Sequence, residues 1–182
     1  FDFDGVIADT LESYQHVCQK AAVICGSDTE LDKNPFAELD PVTFEALGEK
    51  LAINGNRYAA VVASEMCAYP DIPKLFEGMT ETLALLSERI PLAVLSASHS
   101  DVLNKILTFH GIDKYFASII GGDIAGSKSE KLIKIKSQYT PHIIMVGEET
   151  VFIKKRKKEE EDYLASKQES SQCQFFQKIQ SI

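Results

Sequence analysis

Apolar residues recur at helical spacing over the first third of the chain. Leu11, Tyr14, Val17, Cys18, Ala21, Ala22 and Cys25 share one face, with Thr10 as the expected N-cap and Gly26 as the stop. A polar loop, 27–35, follows. Pro41 is expected to start a second helix that buries Val42, Phe44, Leu47 and Leu51. After the turn Asn54-Gly55-Asn56, the spacing predicts a third helix over 57–68, before Pro70 and Pro73 punctuate the chain.

The pattern then changes to short, continuously apolar runs between amphipathic stretches. Strands are expected at 91–95, 116–120 and 142–146, and helices at 79–89, 100–110 and 129–138. Residues 1–3 read as the end of another strand. Continuously apolar strands alternating with helices imply a parallel sheet covered on both faces. The expected fold class is therefore α/β: a Rossmann-like three-layer α/β/α core, residues 1–10 and 73–153, with the helical block 11–72 inserted as a cap. No strand is expected after 142–146. The tail, 154–182, opens with five consecutive bases and continues through four acids into a Gln/Ser-rich stretch. It reads as a solvated helix or a disordered, non-homologous tail.

Composition narrows the function. The 182 residues are 45% hydrophobic and 25% charged, and no apolar run is long enough for a membrane span. The net charge is -8, with 27 acids against 19 bases. Residues 154–182 hold seven bases and five acids, leaving 12 bases and 22 acids in residues 1–153. An acidic folded part disfavours nucleic acid and suits a divalent metal. Cys18, Cys25, Cys67 and Cys173 form no CxxC pair and read as reduced thiols of a cytoplasmic protein. The chain opens on Phe1-Asp2-Phe3-Asp4 without the apolar run a strand needs, so a trimmed N-terminus is expected.

Asp2 and Asp4 are the candidate chemistry. Side chains at i and i+2 of a strand point the same way, so both carboxylates can aim at one spot beyond the strand's end. One can attack phosphorus, while the other protonates the leaving oxygen and later deprotonates water. A cation that prefers oxygen, such as Mg²⁺, would relieve their repulsion. On these two residues alone, turn-capping aspartates explain the pattern equally well.

The longer segment is more specific. Asp2 to Thr10 resembles the haloacid dehalogenase (HAD) superfamily signature Asp-x-Asp-Gly-(Val/Thr)-(Leu/Ile)-x-Asp-(Ser/Thr) at all seven specified positions. Leu95-Ser96-Ala97-Ser98 is similar to the second motif, Gly126-Ser127-Lys128-Ser129 to the third, and Val146-Gly147-Glu148-Glu149 to the fourth. The resemblance spans about residues 1–150 and is nearest to the phosphoglycolate phosphatase and β-phosphoglucomutase branch, whose cap is inserted where 11–72 lies. It implies that Asp2 forms an aspartyl phosphate and that Asp4 is the general acid/base and a backbone ligand of Mg²⁺. Ser96, Ala97 and Ser98 would bind phosphoryl oxygens, Lys128 would offset their charge, and Glu148 or Glu149 would complete the metal site. Lys131 is the alternative match to Lys128. His99 is either a substrate contact or an exposed helix-start residue, and His16, His110 and His142 read as structural.

The fourth motif departs from the pattern, which favours aspartate. Glu148 and Glu149 are one methylene longer, and Phe152-Ile153 stand where a further acid is usual. Mg²⁺ tolerates such misplacement poorly. The function expected is Mg²⁺-dependent hydrolysis of a small phosphorylated metabolite by a monomer or homodimer that binds neither nucleic acid nor membrane. The alternatives are a phosphomutase of the β-phosphoglucomutase type and a truncated, catalytically defective protein that only binds metal, phosphate or a partner.

Overall fold

Three helices form the block after the Asp2–Thr10 segment in the computed structural model, which describes residues 1–139, 143–147, 151–153 and 164–165. Helix α1 is Leu11–Ile24, α2 is Phe44–Lys50 and α3 is Gly55–Ala68. The start of α2 lies later than Pro41 suggested. Thr43, not the proline, caps it, with its hydroxyl accepting from Ala46 N–H. Helix α3 begins two residues before the expected 57, because the Asn54 side chain accepts from Arg57 N–H and so caps the helix at Gly55. The buried Tyr58 hydroxyl donates to Cys18 O at 2.9 Å and ties α3 to α1. Gly48 lets α2 meet α3 closely, since a Cβ there would stand 2.7 Å from Tyr58 Cβ.

Beyond the block come α4 (Met79–Ser87), β1 (Leu92–Leu95), α5 (Ser100–Phe109), β2 (Phe116–Ile120) and α6 (Lys128–Gln138). Strands β1 and β2 pair in parallel through the α5 crossover, with Val94 opposite Ile119 and Leu95 opposite Ile120. Residues 1–2 lie along the other edge of β1. The Phe1 nitrogen donates to Ala93 O, and Leu95 N–H donates to Phe1 O at 2.9 Å.

The third strand pairing differs from the sequence expectation. Strand β3 (Ile143–Met145) pairs antiparallel with β4 (Val151–Ile153), which pairs antiparallel with β5 (Leu164–Ala165). The all-parallel reading, and the reading that no strand follows 142–146, are corrected. The connection 146–150 is too short for a parallel crossover, which needs about a dozen residues, so the chain returns as a hairpin. Asp2 N–H donates to Val146 O at 2.7 Å, which places the end of β3 beside the N-terminal segment.

One buried cluster runs through both parts. Phe3, Ile7, Val94, Leu103 and Leu107 belong to it together with Val17, Cys18, Leu47, Tyr58 and Met66. Lys105, on α5, donates to Cys67 O and Tyr69 O, both at 2.8 Å. It satisfies carbonyls left free at the α3 C-terminus and places a cation at that helix's negative end. The α-helical block is thereby fixed against the start of α5. Among the described residues, no helix is long and apolar enough to cross a membrane. Cys18, Cys25 and Cys67 are free thiols, and burial pushes Cys18 up to about 12; Cys173 lies outside the described residues.

Candidate active site

Gly5 turns the chain immediately after Asp4, with φ +72°, a conformation that costs glycine little. The turn closes through Gly5 N–H to Ala8 O at 3.0 Å and Ile7 N–H to Phe3 O at 2.8 Å. It brings Thr10 back to Asp4, and Thr10 Oγ1 donates to Asp4 Oδ1 at 2.9 Å. Contrary to the sequence expectation, Thr10 makes no side-chain cap to α1: its backbone is already helical and its hydroxyl is turned toward the carboxylate, away from the first N–H groups of the helix.

Two further hydroxyls reach Asp4 from the turn after β1. Ser96 Oγ donates to Asp4 Oδ2 at 2.9 Å and Ser98 Oγ at 2.7 Å. Ser96 Oγ itself accepts from Ser98 N–H at 2.9 Å. Tyr14 OH and Ser98 Oγ are 2.6 Å apart. Ser98 has given its proton to Asp4, so Tyr14 is the donor in that pair. Ser96, Ser98, Thr10 and Tyr14 are all buried. Burial pushes the Asp4 carboxyl up, the three hydroxyl bonds pull it down, and the negative charge of Asp2 raises it again; the net direction is upward. Asp4 is thus an acid inclined to keep its proton. Burial likewise raises Tyr14 well above the usual phenol range, so it remains a neutral donor.

Asp2 has different surroundings. Its side chain is a quarter exposed, Oδ1 accepts from Phe3 N–H at 2.9 Å, and Oδ2 forms an ion pair with Lys128 Nζ. Lys128 is the first residue of α6, whose start is fixed by a capping box: Ser127 Oγ accepts from Glu130 N–H, and Glu130 accepts from Ser127 N–H at 2.7 Å. Lys131, the alternative, is buried and donates to Gly121 O at 3.0 Å, away from the carboxylates.

The turn 96–98 is held from below by Gly122, whose N–H donates to Ser98 O at 2.9 Å. A Cβ on Gly122 would stand 2.1 Å from Ala97 O, so only glycine permits this approach. Ala97 N–H donates to no group among the described residues, and Ala97 is only partly buried. That amide is free to bind an anion's oxygen. His99 caps α5 through Asp101 N–H to Nδ1 at 3.2 Å. His110 Nε2 lies 2.8 Å from Pro73 O and His16 Nδ1 2.9 Å from Glu12 O; His142 lies outside the described residues.

The donors around Asp2 and Asp4 suit a divalent cation only in part. Among the described residues, no three His, Cys, Asp or Glu side chains gather as a cage. The side-chain oxygens of Asp4 are occupied by hydroxyls, but no described N–H donates to its carbonyl. That carbonyl and the part-exposed Asp2 carboxylate are hard oxygen donors and fit Mg²⁺. Glu148 and Glu149 lie outside the described residues, next in the chain after the β3 end that bonds to Asp2.

The structure joins Lys128 to Asp2, but it bonds the Ser96 and Ser98 hydroxyls to Asp4, where the sequence reading had given them to phosphoryl oxygens. That reading missed Thr10 and Tyr14 as partners of the Asp4 network. Tyr14 follows Thr10 by one helical turn, which puts both on the face that meets Asp4; that spacing was the available signal.

The family profile of haloacid dehalogenase-like hydrolases matches residues 1–169. The chain is 24% identical over 136 residues to a phosphoglycolate phosphatase of Photobacterium profundum, an alignment that covers 68% of this chain and 59% of that protein. A predicted phosphoglycolate phosphatase from Haemophilus somnus has a similar structure, with TM-score 0.58 and 18% identity over 76% of this chain and 69% of its own. CbbY from Rhodobacter sphaeroides, in complex with xylulose-(1,5)-bisphosphate, gives 0.59 and 17% over 76% and 71%. The shared fold and the profile that runs from Asp2 through the β4–β5 edge lead to one assignment: this chain belongs to the haloacid dehalogenase-like hydrolases.

Proposed function

We propose that the chain hydrolyses phosphate monoesters of small metabolites through an aspartyl phosphate on Asp2. The observation that carries this reading is the division of labour between two carboxylates. Asp2 is accessible and ion-paired, while Asp4 is enclosed by hydroxyls and inclined to hold a proton. An Asp2 oxygen attacks phosphorus as the ester P–O bond breaks, and Asp4 gives its proton to the leaving oxygen. Asp4, now ionised and stabilised by Thr10, Ser96 and Ser98, takes a proton from water as that water attacks phosphorus and releases Asp2. Lys128 supplies positive charge to the phosphoryl oxygens, and the free Ala97 N–H, beside Ser96, supplies a donor.

Mg²⁺ held by the Asp2 carboxylate, the Asp4 carbonyl and Glu148 or Glu149 would add charge against the same oxygens. The block 11–72 serves as a cap over the core formed by 1–10 and 73–153, with 154–182 as an appended segment. Tyr14 reaching Ser98 from α1 supports that arrangement. A closed cap shields the aspartyl phosphate from water until the ester has reacted.

The test is turnover of p-nitrophenyl phosphate with Mg²⁺. Asp2→Asn should reduce kcat by at least about a thousandfold. Beryllium fluoride with Mg²⁺ should raise Tm in the wild type and leave the variant unchanged. Equal turnover or an equal Tm shift in both proteins would remove Asp2 from the role.

A further inference from the structure

A cavity of about 480 Å³ lies between α2, α3 and the start of α5. Its volume is in the range of small-molecule sites. One wall is apolar: Tyr14 and Phe44, with ring centroids 4.9 Å apart, and the alanines of α3. The cavity adjoins the enclosure of Asp4. Tyr14 lines it and donates to Ser98, which donates to Asp4, and Ala97, between the two serines, lines it as well.

The acidic part of the lining is not matched by bases. Glu45, Asp101 and Asp123 line the cavity, and no lysine or arginine does among the described residues. Two lysines of the core are committed elsewhere. Lys105 is held by the carbonyls at the end of α3, and Lys128 is paired with Asp2. His99 also lines the cavity, but its Nδ1 faces Asp101 Oδ2 at 3.6 Å, so any charge on the ring meets a carboxylate at once. A second phosphate or a carboxylate placed here would lose water and meet three carboxylates with no lysine or arginine of the lining to offset them. A hydroxyl or an ammonium would gain acceptors.

We infer that this cavity receives the alcohol part of the substrate and selects monoesters whose alcohol is uncharged or aminated, against those bearing a second anionic group. The inference rests on the phosphomonoesterase reading and narrows its substrate class. It sets the chain apart from CbbY, whose bound ligand carries two phosphates.

Phosphoethanolamine and phosphoglycolate test it, because both are two-carbon esters and their far ends carry opposite charges. Kd is measured by calorimetry on the full Asp2→Asn chain, where the ester survives, and kcat/KM on the wild type. Phosphoethanolamine should be preferred by about tenfold or more in each, the effect of one nearby charge pair of partly screened strength. Glu45→Gln combined with Asp101→Asn should move both ratios toward unity. Equal affinities, a preference for phosphoglycolate, a ratio indifferent to the two neutralisations, or binding of neither ester would overturn the inference. If the Kd ratio holds while no ester, p-nitrophenyl phosphate included, is turned over, the phosphatase reading fails and the charge selection of the cavity stands.

Discussion

Asp2 and Asp4 are two residues apart on one extended segment, yet they occupy opposite environments. Asp2 stands at the edge where the N-terminal segment meets the end of β3, a quarter exposed and paired with a lysine from α6. Asp4 is turned into the interior, where four buried hydroxyl side chains form its enclosure. A cation beside a carboxylate favours its charged form, and removal from water favours its neutral form. The same residue type therefore meets conditions that favour its charged form at one position and its neutral form at the other, the division on which the proposed roles of nucleophile and acid rest. The glycine turn after Asp4 creates the difference, because it folds Thr10 and α1 back over the second carboxylate and leaves the first one open.

The largest expected effect comes from removing the acid. Asp4→Asn keeps the shape and one acceptor oxygen, enough for either Thr10 or the two serines, but supplies no titratable proton. kcat for an ester with a poor leaving group should fall by about 10²- to 10⁴-fold, the usual worth of general acid–base catalysis. The loss should be smaller for p-nitrophenyl phosphate, whose leaving group needs little protonation. A loss equal for both esters would show that Asp4 does not protonate the leaving oxygen. The next effect concerns the open side. Glu148→Asp and Glu149→Asp, made separately, should tighten Mg²⁺ in one variant and raise its rate, on the order of tenfold, if the extra methylene misplaces a metal ligand. Titration of rate against Mg²⁺ reads this directly. If neither variant gains and the wild type turns over well, the longer side chains are adequate ligands.

The two sides were not equally legible in the sequence. The apolar runs at 92–95 and 116–120 announced β1 and β2, because a buried strand is written as a continuous apolar stretch. Lys128 was legible through the resemblance of Gly126-Ser127-Lys128-Ser129 to a motif, while the capping box at Ser127 and Glu130 that fixes its helix start went unread. The Asp4 enclosure was not. Thr10 before an amphipathic stretch has the pattern of an N-cap, and only the tertiary position of Asp4 diverts its hydroxyl. Tyr14 has the pattern of one more apolar position on the α1 face, and its hydroxyl acquires a role only when the 96–98 turn is brought against it. The β3–β4 hairpin failed for a different reason. An apolar run gives no strand direction; the short connection 146–150 does, and it lies in polar sequence that resembles a motif.

Tyr14→Phe probes the enclosure more gently. It removes the hydroxyl that donates to Ser98 and leaves the ring packed between Phe36 and Phe44. Ser98 Oγ then lacks a donor in a buried position, a cost of about 1–3 kcal/mol. Chemical denaturation should show that loss with an unchanged m-value. Ser98 remains free to donate to Asp4, so kcat should fall by less than in Asp4→Asn. A Tyr14→Phe chain as stable as the wild type would mean that water replaces the phenol, and that the Asp4 enclosure is wetter than its geometry suggests.

The smallest effect separates the two causes that compete at Asp4. Asp123 is also held by serine groups: its Oδ1 accepts from Ser100 N–H and Ser100 Oγ, both at 2.7 Å. Unlike Asp4, it is exposed. Its slight burial pushes the carboxyl up, but the bonds from Ser100, with a smaller contribution from His99, outweigh it and hold the group below the ordinary 3.8. Serine bonds thus lower a carboxyl at the surface, and the upward direction at Asp4 is due to removal from water. A lowered folded-state value means that the ionised carboxylate stabilises the fold above the unfolded-state value. That contribution is lost as pH falls through the lowered folded-state value. Asp123→Asn should therefore cost under about 1 kcal/mol near neutral pH, because solvent screens an exposed group. The Tm gap to the wild type should close as pH falls below about 4, where the wild-type carboxyl takes up its proton. Tm measured at intervals from pH 7 to pH 2.5 in both proteins checks this. A gap that persists undiminished in acid would assign the role of Asp123 to hydrogen-bond geometry at the start of α5. The contrast with Asp4 would then need another basis than charge.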